Sequence, residues 1–160
     1  MKNIFMILAC VVMPASAIAA PFLLNCQLIK SSGFNMKTAY AKPPTDLQDH
    51  FIRDAMDMGI GGLFMEPPTT WEVNPGTSTV VSPEESHKVL KIISASASKI
   101  EAYSSFGTSF SLNRVNSRLE YSVPIGMENS VNWKKAHGGT IPQLLSYSYS
   151  CAIVPELGAQ

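Results

Sequence analysis

Residues Phe110–Tyr121 read FSLNRVNSRLEY, and in this stretch two runs of alternating apolar and polar residues flank a polar centre. A period of two places every second side chain on one face of a β-strand, where it can be buried. The pattern predicts a hairpin of strands 108–113 and 118–123. Its bend falls on residues 115–117, where Asn116 is expected in the left-handed conformation that glycine often supplies. The expected core residues of this hairpin are Phe110, Leu112, Leu119 and Tyr121.

The same alternation marks both ends of the region around this hairpin. Residues 22–29 and 145–153 each predict a strand with one apolar face, which carries Cys26 in the first and Cys151 in the last. A further strand at 99–104 leads into the hairpin through Phe106-Gly107. Short turns between such strands are typical of an antiparallel meander. We therefore expect a mainly β fold, a small antiparallel barrel or sandwich with one or two short helices, its first and last strands joined by a disulfide.

Two helix starts are also present. Residues 45–48, Thr-Asp-Leu-Gln, form a capping box and predict a helix that ends at Gly59. Residues 82–85, Ser-Pro-Glu-Glu, form a second one, although the β-branched residues at 89–93 also allow a strand after a single helical turn. Between them, residues 59–83 are rich in Gly, Pro, Thr and Ser and predict a loop with one short strand at 79–82. Residues 126–139 are interpreted as a second loop.

The N-terminus has the layout of a secretory signal peptide. Lys2 precedes an apolar run at 4–13, which Pro14 ends before several small residues. We expect residues 1–19 to be a signal peptide and residues 20–160 to form a single exported β-rich domain, periplasmic or secreted. Residues 7–10 loosely match a lipidation motif, but apolar residues continue past Cys10, which places that cysteine in the signal peptide.

Cys26 and Cys151 are the two cysteines outside the predicted signal peptide. An even number of cysteines in an exported protein is typical of disulfide pairing, whereas two free thiols are the alternative. The bridge would tie the two ends of the domain together.

The charge balance argues against several classes of partner. The chain has 12 Lys+Arg and 12 Asp+Glu, so no long-range field favours nucleic acid. The N-terminal apolar run is shorter than the roughly 20 residues of a membrane-spanning helix, so no stable membrane span is expected. An outer-membrane barrel would fit the length, but the strands are short and their outward faces are rich in serine.

No constellation of residues indicates catalysis or a cofactor. The three histidines, His50, His87 and His137, are isolated from one another and from the cysteines, which argues against zinc. Met56, Met58 and Met65 could suggest copper, but methionines also fill irregular cores. No Gly-x-Ser-x-Gly elbow is present. We therefore predict no catalytic residue, metal ligand or cofactor.

The candidate binding residues fall in two places. Arg and aromatic side chains are enriched at binding hot spots. The candidates are Arg114 and Arg118 on the hairpin, and Trp133, Lys134, Lys135 and His137 on the late loop. The alternative is structural: the two arginines would pair with Glu101 or Glu120 and cover the sheet, and Trp133 would be a core anchor.

The hairpin residues Leu112–Leu119, LNRVNSRL, resemble a motif of small exported bacterial β-proteins of unknown function. That motif combines Asn or Asp, Arg, any residue and Thr-Gly, and a cysteine-bearing last strand commonly follows. Asn113-Arg114 and Arg118-Leu119 match it, while Asn116-Ser117 stands in place of Thr-Gly. The resemblance implies a compact exported β-domain and carries no activity with it.

These observations favour an exported, disulfide-stabilised domain of the binding or inhibitor type. Its partner would be a protein or a small molecule of the cell envelope. The alternatives are a secreted hydrolase without a local motif and an envelope structural protein.

Overall fold

The structure, a computed structural model, describes residues 20–32, 34–60, 63, 66–85 and 88–155. The predicted signal peptide, residues 1–19, lies outside the described residues, and so does Cys10.

Eight antiparallel strands form a closed barrel in which each strand pairs with the next along the chain and the first pairs with the last. The strands are β1 (Phe22–Ser31), β2 (Thr70–Asn74), β3 (Thr79–Val81), β4 (Val89–Ala95), β5 (Lys99–Tyr103), β6 (Ser109–Asn113), β7 (Arg118–Pro124) and β8 (Leu144–Pro155). Of the two architectures that the sequence allowed, the barrel is confirmed. Closure leaves no strand edge unpaired along the barrel wall.

The predicted disulfide between the first and last strands is confirmed. Cys26 and Cys151 are direct partners in the antiparallel β1–β8 pair and are bonded to each other. Cys151 is buried and Cys26 is half-buried. The bridge therefore fastens the strand pair that closes the barrel.

Aromatic side chains fill the inside of the barrel. Trp71 is fully buried and makes edge contacts with Phe110, Tyr121 and Tyr149, with ring centroids 6.1, 5.9 and 5.1 Å away. Edge-to-face pairs of this kind each add roughly 0.5–1.5 kcal/mol to the burial of their area. The four predicted core residues of the hairpin are all among the buried side chains.

The two ends of the barrel differ because alternate connections differ in length. Three short turns, residues 75–78, 96–98 and 114–117, lie at one end, which we call the hairpin end. The other four connections lie at the opposite end, which we call the helix end; two of them are long and carry α1 (Leu47–Asp57) and α2 (Met127–His137), and one is the short turn 104–108. Most of the polar and aromatic clusters described below lie at the helix end.

Two segments predicted as loops contain regular structure. The first holds β2, whose Trp71 and Val73 point inward, and the second holds α2. Gly138, with φ of 74°, ends α2, and its N–H donates to the carbonyl of Lys134. The short strand predicted at 79–82 is confirmed as β3, but the loop predictions were wrong for β2 and α2. Their sequence signals are short, since β2 has two buried residues and α2 buries only Trp133.

The predicted helix at 45–59 is confirmed as α1, but its capping box is not formed. Asp46 occupies the N-cap position and makes no side-chain capping bond. At the second predicted start, residues Pro83–Glu85 make a single turn of 3-10 helix before β4 begins. This is the strand alternative that the sequence left open.

The hairpin turn between β6 and β7 takes its left-handed residue at Ser117, with φ of 54°, and not at Asn116 as predicted. Asn113 Oδ1 accepts the backbone N–H of Val115 at 3.0 Å, and Asn116 Oδ1 accepts that of Arg118 at 3.2 Å. The side chain of Asn116 therefore serves the turn as an acceptor. A four-residue hairpin loop needs positive φ at its last position, which here is serine.

Candidate functional site

The predicted binding residues lie at opposite ends of the barrel and do not form one site. Arg114 and Arg118 are at the hairpin end, whereas Trp133, Lys134, Lys135 and His137 are on α2 at the helix end. Arg118, Lys134 and Lys135 are exposed. Their part in binding stays a prediction.

Arg114 contacts the Ser96 carbonyl and the Phe22 ring at the hairpin end of the barrel. Its Nη1 donates to the carbonyl of Ser96 at 3.2 Å, and its guanidinium carbon lies 5.6 Å from the centroid of the Phe22 ring. That distance is within the range of a cation–π contact. The carboxylates expected to pair with the arginines have other partners: Lys99 binds Glu101 at 2.6 Å, and the Ser148 hydroxyl donates to Glu120 at 2.7 Å.

Trp133 is fully buried and holds the two helices together. Its indole N–H donates to the carbonyl of Ala39 at 2.6 Å, and its ring lies 5.3 Å from that of Phe51 on α1. These contacts fit the alternative in which Trp133 anchors the core. They leave none of its side-chain surface exposed to a ligand.

His137, Asp54 and Tyr40 form a half-buried polar cluster beside Trp133. The Tyr40 hydroxyl donates to Asp54 Oδ2 at 2.8 Å, and His137 Nδ1 lies 3.6 Å from the same oxygen. Burial raises the pKa of Tyr40, and the hydrogen bond to Asp54 raises that pKa further. Tyr40 therefore stays protonated and keeps donating. The cluster links α1 to α2 and to the segment that precedes α1.

A surface patch that the sequence analysis missed lies on β4, β5 and the turn after β5. It consists of four exposed side chains, Val89 (51%), Ile93 (63%), Tyr103 (44%) and Phe106 (86%). We call this patch the Phe106 face. Isolated exposed apolar residues are ordinary, but a cluster of large ones is typical of an interaction surface.

The turn that presents Phe106 is held by its own hydrogen bonds. Ser104 Oγ accepts the backbone N–H groups of Phe106 at 3.3 Å and of Thr108 at 3.0 Å. The backbone N–H of Ser104 donates to the carbonyl of Thr108 at 2.9 Å, and Gly107 takes a φ of 82°. Phe106 is therefore projected into solvent from an ordered turn.

Two grooves adjoin the Phe106 face. One, of about 430 Å³, lies between Phe106 and the barrel rim at Leu90, Val123 and Pro124. The other, of about 630 Å³, is lined by Ile93, Tyr103 and the turn between β2 and β3. A partner surface can thus receive Phe106 and insert side chains on either side of it.

A sequence signal for this face did exist. Residues 89–93, Val-Leu-Lys-Ile-Ile, break the alternation of apolar and polar residues, so some apolar side chains of β4 must point outward. Phe106 lies in Ser-Ser-Phe-Gly, where a turn places a large aromatic residue among small polar ones.

No protein-family model, curated protein or solved structure matches this chain. The resemblance of the hairpin to small exported β-proteins therefore stays a prediction.

Two further findings concern the part of the chain that the structure describes. Its His, Cys, Asp and Glu side chains form no group of three or more that could hold a metal ion. None of its helices combines the length and the apolar character needed to cross a membrane.

Proposed function

We propose that this chain is an exported binding domain that recognises a protein partner through the Phe106 face. The observation that carries the proposal is the 86% exposure of Phe106 on a turn whose backbone bonds are internal. Burying one such side chain in a partner contributes roughly 1.5–3 kcal/mol. Because the turn is already ordered, little conformational entropy is lost when it binds.

The neighbours of Phe106 favour a protein over a small molecule as the partner on this face. Val89, Ile93 and Tyr103 extend the apolar surface along the barrel wall, and Lys91, on β4 between β3 and β5, is also exposed. A central aromatic anchor with apolar neighbours and a charged group is the usual composition of a protein interface. A protruding Phe106 that enters a partner's cleft would correspond to the inhibitor type of binding.

The covalent structure supports an oxidising compartment for this function. The Cys26–Cys151 bond is of the kind that persists in the periplasm or outside the cell. Together with the signal peptide expected at residues 1–19, it is the basis for proposing periplasmic or secreted localisation.

Site-specific photo-crosslinking tests the proposal. The full chain is produced in its host with a photoreactive phenylalanine analogue at Phe106 or, as a matched control, at Val115. Val115 is also apolar and 80% exposed on a turn, but it lies at the hairpin end. We expect one heterologous protein to be crosslinked from position 106 and not from position 115. The proposal fails if the two positions give the same products, or if position 106 reaches only a second copy of this chain.

Affinity measurement then completes the test. Phe106→Ala should weaken binding of the crosslinked protein by at least about tenfold, as expected of a hot-spot residue. Val115→Ala should leave that affinity unchanged. Equal affinities for the two variants would mean that the crosslinked protein does not bind through this face.

A further inference from the structure

The helix end of the barrel carries a cleft made of three adjoining spaces. One, of about 380 Å³, lies beside α1; a small one, of about 20 Å³, lies in the middle; and the third is the groove of about 430 Å³ beside the Phe106 face. The first and second spaces share walls at Glu66, Pro67 and Tyr147, and the second and third share walls at Lys88 and Val123. The three spaces therefore form one continuous cleft, which we call the mouth cleft. The mouths of β-barrels are preferred places for bound ligands.

Both ends of the mouth cleft are mainly apolar. The end beside α1 has apolar walls at Leu28, Phe34, Met36, Ile52 and Leu145. The end beside the Phe106 face has apolar walls at Val89, Leu90, Phe106, Val123 and Pro124. An apolar side chain of a ligand would lose its contact with water at either end, which favours its binding there.

The middle of the mouth cleft carries a net negative charge. Among the described residues that line the cleft, the charged ones are Glu66, Glu85 and Lys88. Lys88 Nζ binds the Glu85 carboxylate at 2.7 Å, and the Tyr121 hydroxyl donates to the same carboxylate at 3.4 Å. Glu66 is exposed and has no cationic partner among the described lining residues other than this paired lysine. The middle of the cleft therefore attracts a cation and repels an anion.

Two buried tyrosines, Tyr121 and Tyr147, line the middle of the cleft beside these charges. Their rings are stacked, with centroids 6.3 Å apart. Burial raises the pKa of both tyrosines, and the neighbouring Glu85 carboxylate raises both further. Both hydroxyls therefore remain neutral, so the negative charge of the middle comes from the carboxylates alone.

The order of these walls, which are apolar, acidic and apolar, defines the occupant. From this order we infer that the mouth cleft binds an extended segment of the protein partner, in which a lysine or arginine lies between two apolar side chains. In an extended segment every second side chain points to the same side, so the pattern is apolar-x-basic-x-apolar. An amphiphile with one alkyl chain would fill only one of the two apolar ends. The inference rests on the proposed function, because Phe106 belongs both to the cleft and to the Phe106 face.

Binding of synthetic peptides, measured by fluorescence anisotropy, tests the inference. The probe is a labelled, capped peptide of sequence Ser-Leu-Ser-Lys-Ser-Leu-Ser, added to the oxidised protein produced from the full chain. We expect saturable binding that weakens at least about tenfold when either leucine is replaced by serine. Replacing the lysine by glutamate should weaken it severalfold, since Glu66 is exposed and salt screens its charge. Absence of saturable binding, equal affinity after the loss of one leucine, or tighter binding of the glutamate peptide would overturn the inference.

Variants of the protein locate the bound segment. Gln48→Trp places a large side chain at an exposed position in the wall of the α1 end and should abolish peptide binding. Gln27→Trp, at an exposed position on β1 that is not among the cleft walls, is the matched control and should leave binding unchanged. Glu66→Gln should remove the preference for lysine over glutamate in the peptide. An unchanged preference in that variant, or unchanged binding in a folded Gln48→Trp protein, would refute the assigned position.

Competition with the partner separates this inference from the proposed function. The protein crosslinked from position 106 should displace the labelled peptide from the wild type. If that protein binds through the Phe106 face without displacing the peptide, the proposed function stands and the inference fails. If position 106 crosslinks no heterologous protein, the proposed function fails and the inference fails with it.

Discussion

Cys26 and Cys151 face each other as direct cross-strand partners in the pair of the first and last strands, which closes the barrel. The two cysteines are separated by 125 residues of sequence, so this covalent bond encloses most of the described chain. The bond therefore joins the first and last strands of the barrel directly.

Replacing both cysteines, as Cys26→Ser with Cys151→Ser, should lower the free energy of unfolding by about 4–5 kcal/mol on the chain-entropy model. The unfolded chain regains the freedom that the 125-residue loop removes. Urea denaturation measures the loss. A reductant should destabilise the wild type and leave the double variant unchanged; two alkylatable thiols in the untreated wild type would contradict the bridge.

Trp133→Ala should destabilise the protein by about 3–5 kcal/mol, because it removes a fully buried aromatic side chain between the helices. Trp133→Phe keeps much of the packing but leaves the Ala39 carbonyl without its donor, which costs about 1–3 kcal/mol. Lys134→Ala, on the exposed side of the same helix, is the control and should stay within about 0.5 kcal/mol of the wild type. Equal losses at 133 and 134 would show that Trp133 is not an anchor.

Ser117→Gly should stabilise the hairpin by about 0.5–1 kcal/mol, since a left-handed L-residue costs roughly 1–2 kcal/mol and the greater flexibility of unfolded glycine offsets part of this gain. Asn116→Gly is the matched variant and should destabilise, because it removes the acceptor of the Arg118 N–H. Thermal unfolding distinguishes the two. If Asn116→Gly were the stabilising change, the left-handed residue would be assigned wrongly.

Tyr149→Phe should be neutral or slightly stabilising at neutral pH. The hydroxyl of Tyr149 is buried without a hydrogen-bond partner among the described residues, so its removal relieves the desolvation of a polar group. Tyr121→Phe removes a donor to the buried Glu85 and should destabilise by about 1–2 kcal/mol. Urea midpoints of the two variants test this contrast, and a larger loss for Tyr149→Phe would reverse it.

Stability should fall steeply above about pH 10, where the tyrosines of the unfolded chain ionise. Burial raises the pKa of Tyr121, Tyr147 and Tyr149, so the folded state keeps protons that the unfolded state releases. Each such tyrosine lowers the unfolding free energy by up to about 1.4 kcal/mol per pH unit until its folded-state pKa is passed. Urea midpoints from neutral to alkaline pH measure the slope.

Tyr149→Phe should reduce this alkaline slope, because Tyr149 is fully buried and its pKa is raised by that burial. An unchanged slope in the variant would mean that Tyr149 does not contribute to the alkaline loss.

The sequence predicted the fold where one strand face is continuously apolar. Residues 110–121 and 145–153 contain alternation over enough positions to define strands and their buried faces, and the strands of the barrel match the predicted ones to within two residues. β2 escaped detection because Trp71 and Val73 are its only buried residues within a stretch rich in proline and glycine. α2 escaped because Trp133 alone connects it to the core, which gives no helical stripe.

The candidate sites were harder to predict than the fold because they depend on closure. The broken alternation at residues 89–93 indicates that some apolar side chains of β4 point outward, and the structure identifies Ile93 and Phe106 as exposed residues of one face. For Arg114 and Trp133 the sequence left a binding role and a structural role open, and binding stays a prediction. Their residue types suggested binding, while their contacts with Ser96 and Ala39 serve the fold.

The pairing of β1 with β8 also fixes an order of assembly. β1 cannot pair with β8 until β8 has been synthesised, because the long segment between them must close into a loop before their contacts can form. Until β8 has emerged, β1 lacks one neighbour, and a nascent chain cannot complete the barrel. The Cys26–Cys151 bond therefore forms only in a chain whose synthesis has passed residue 151.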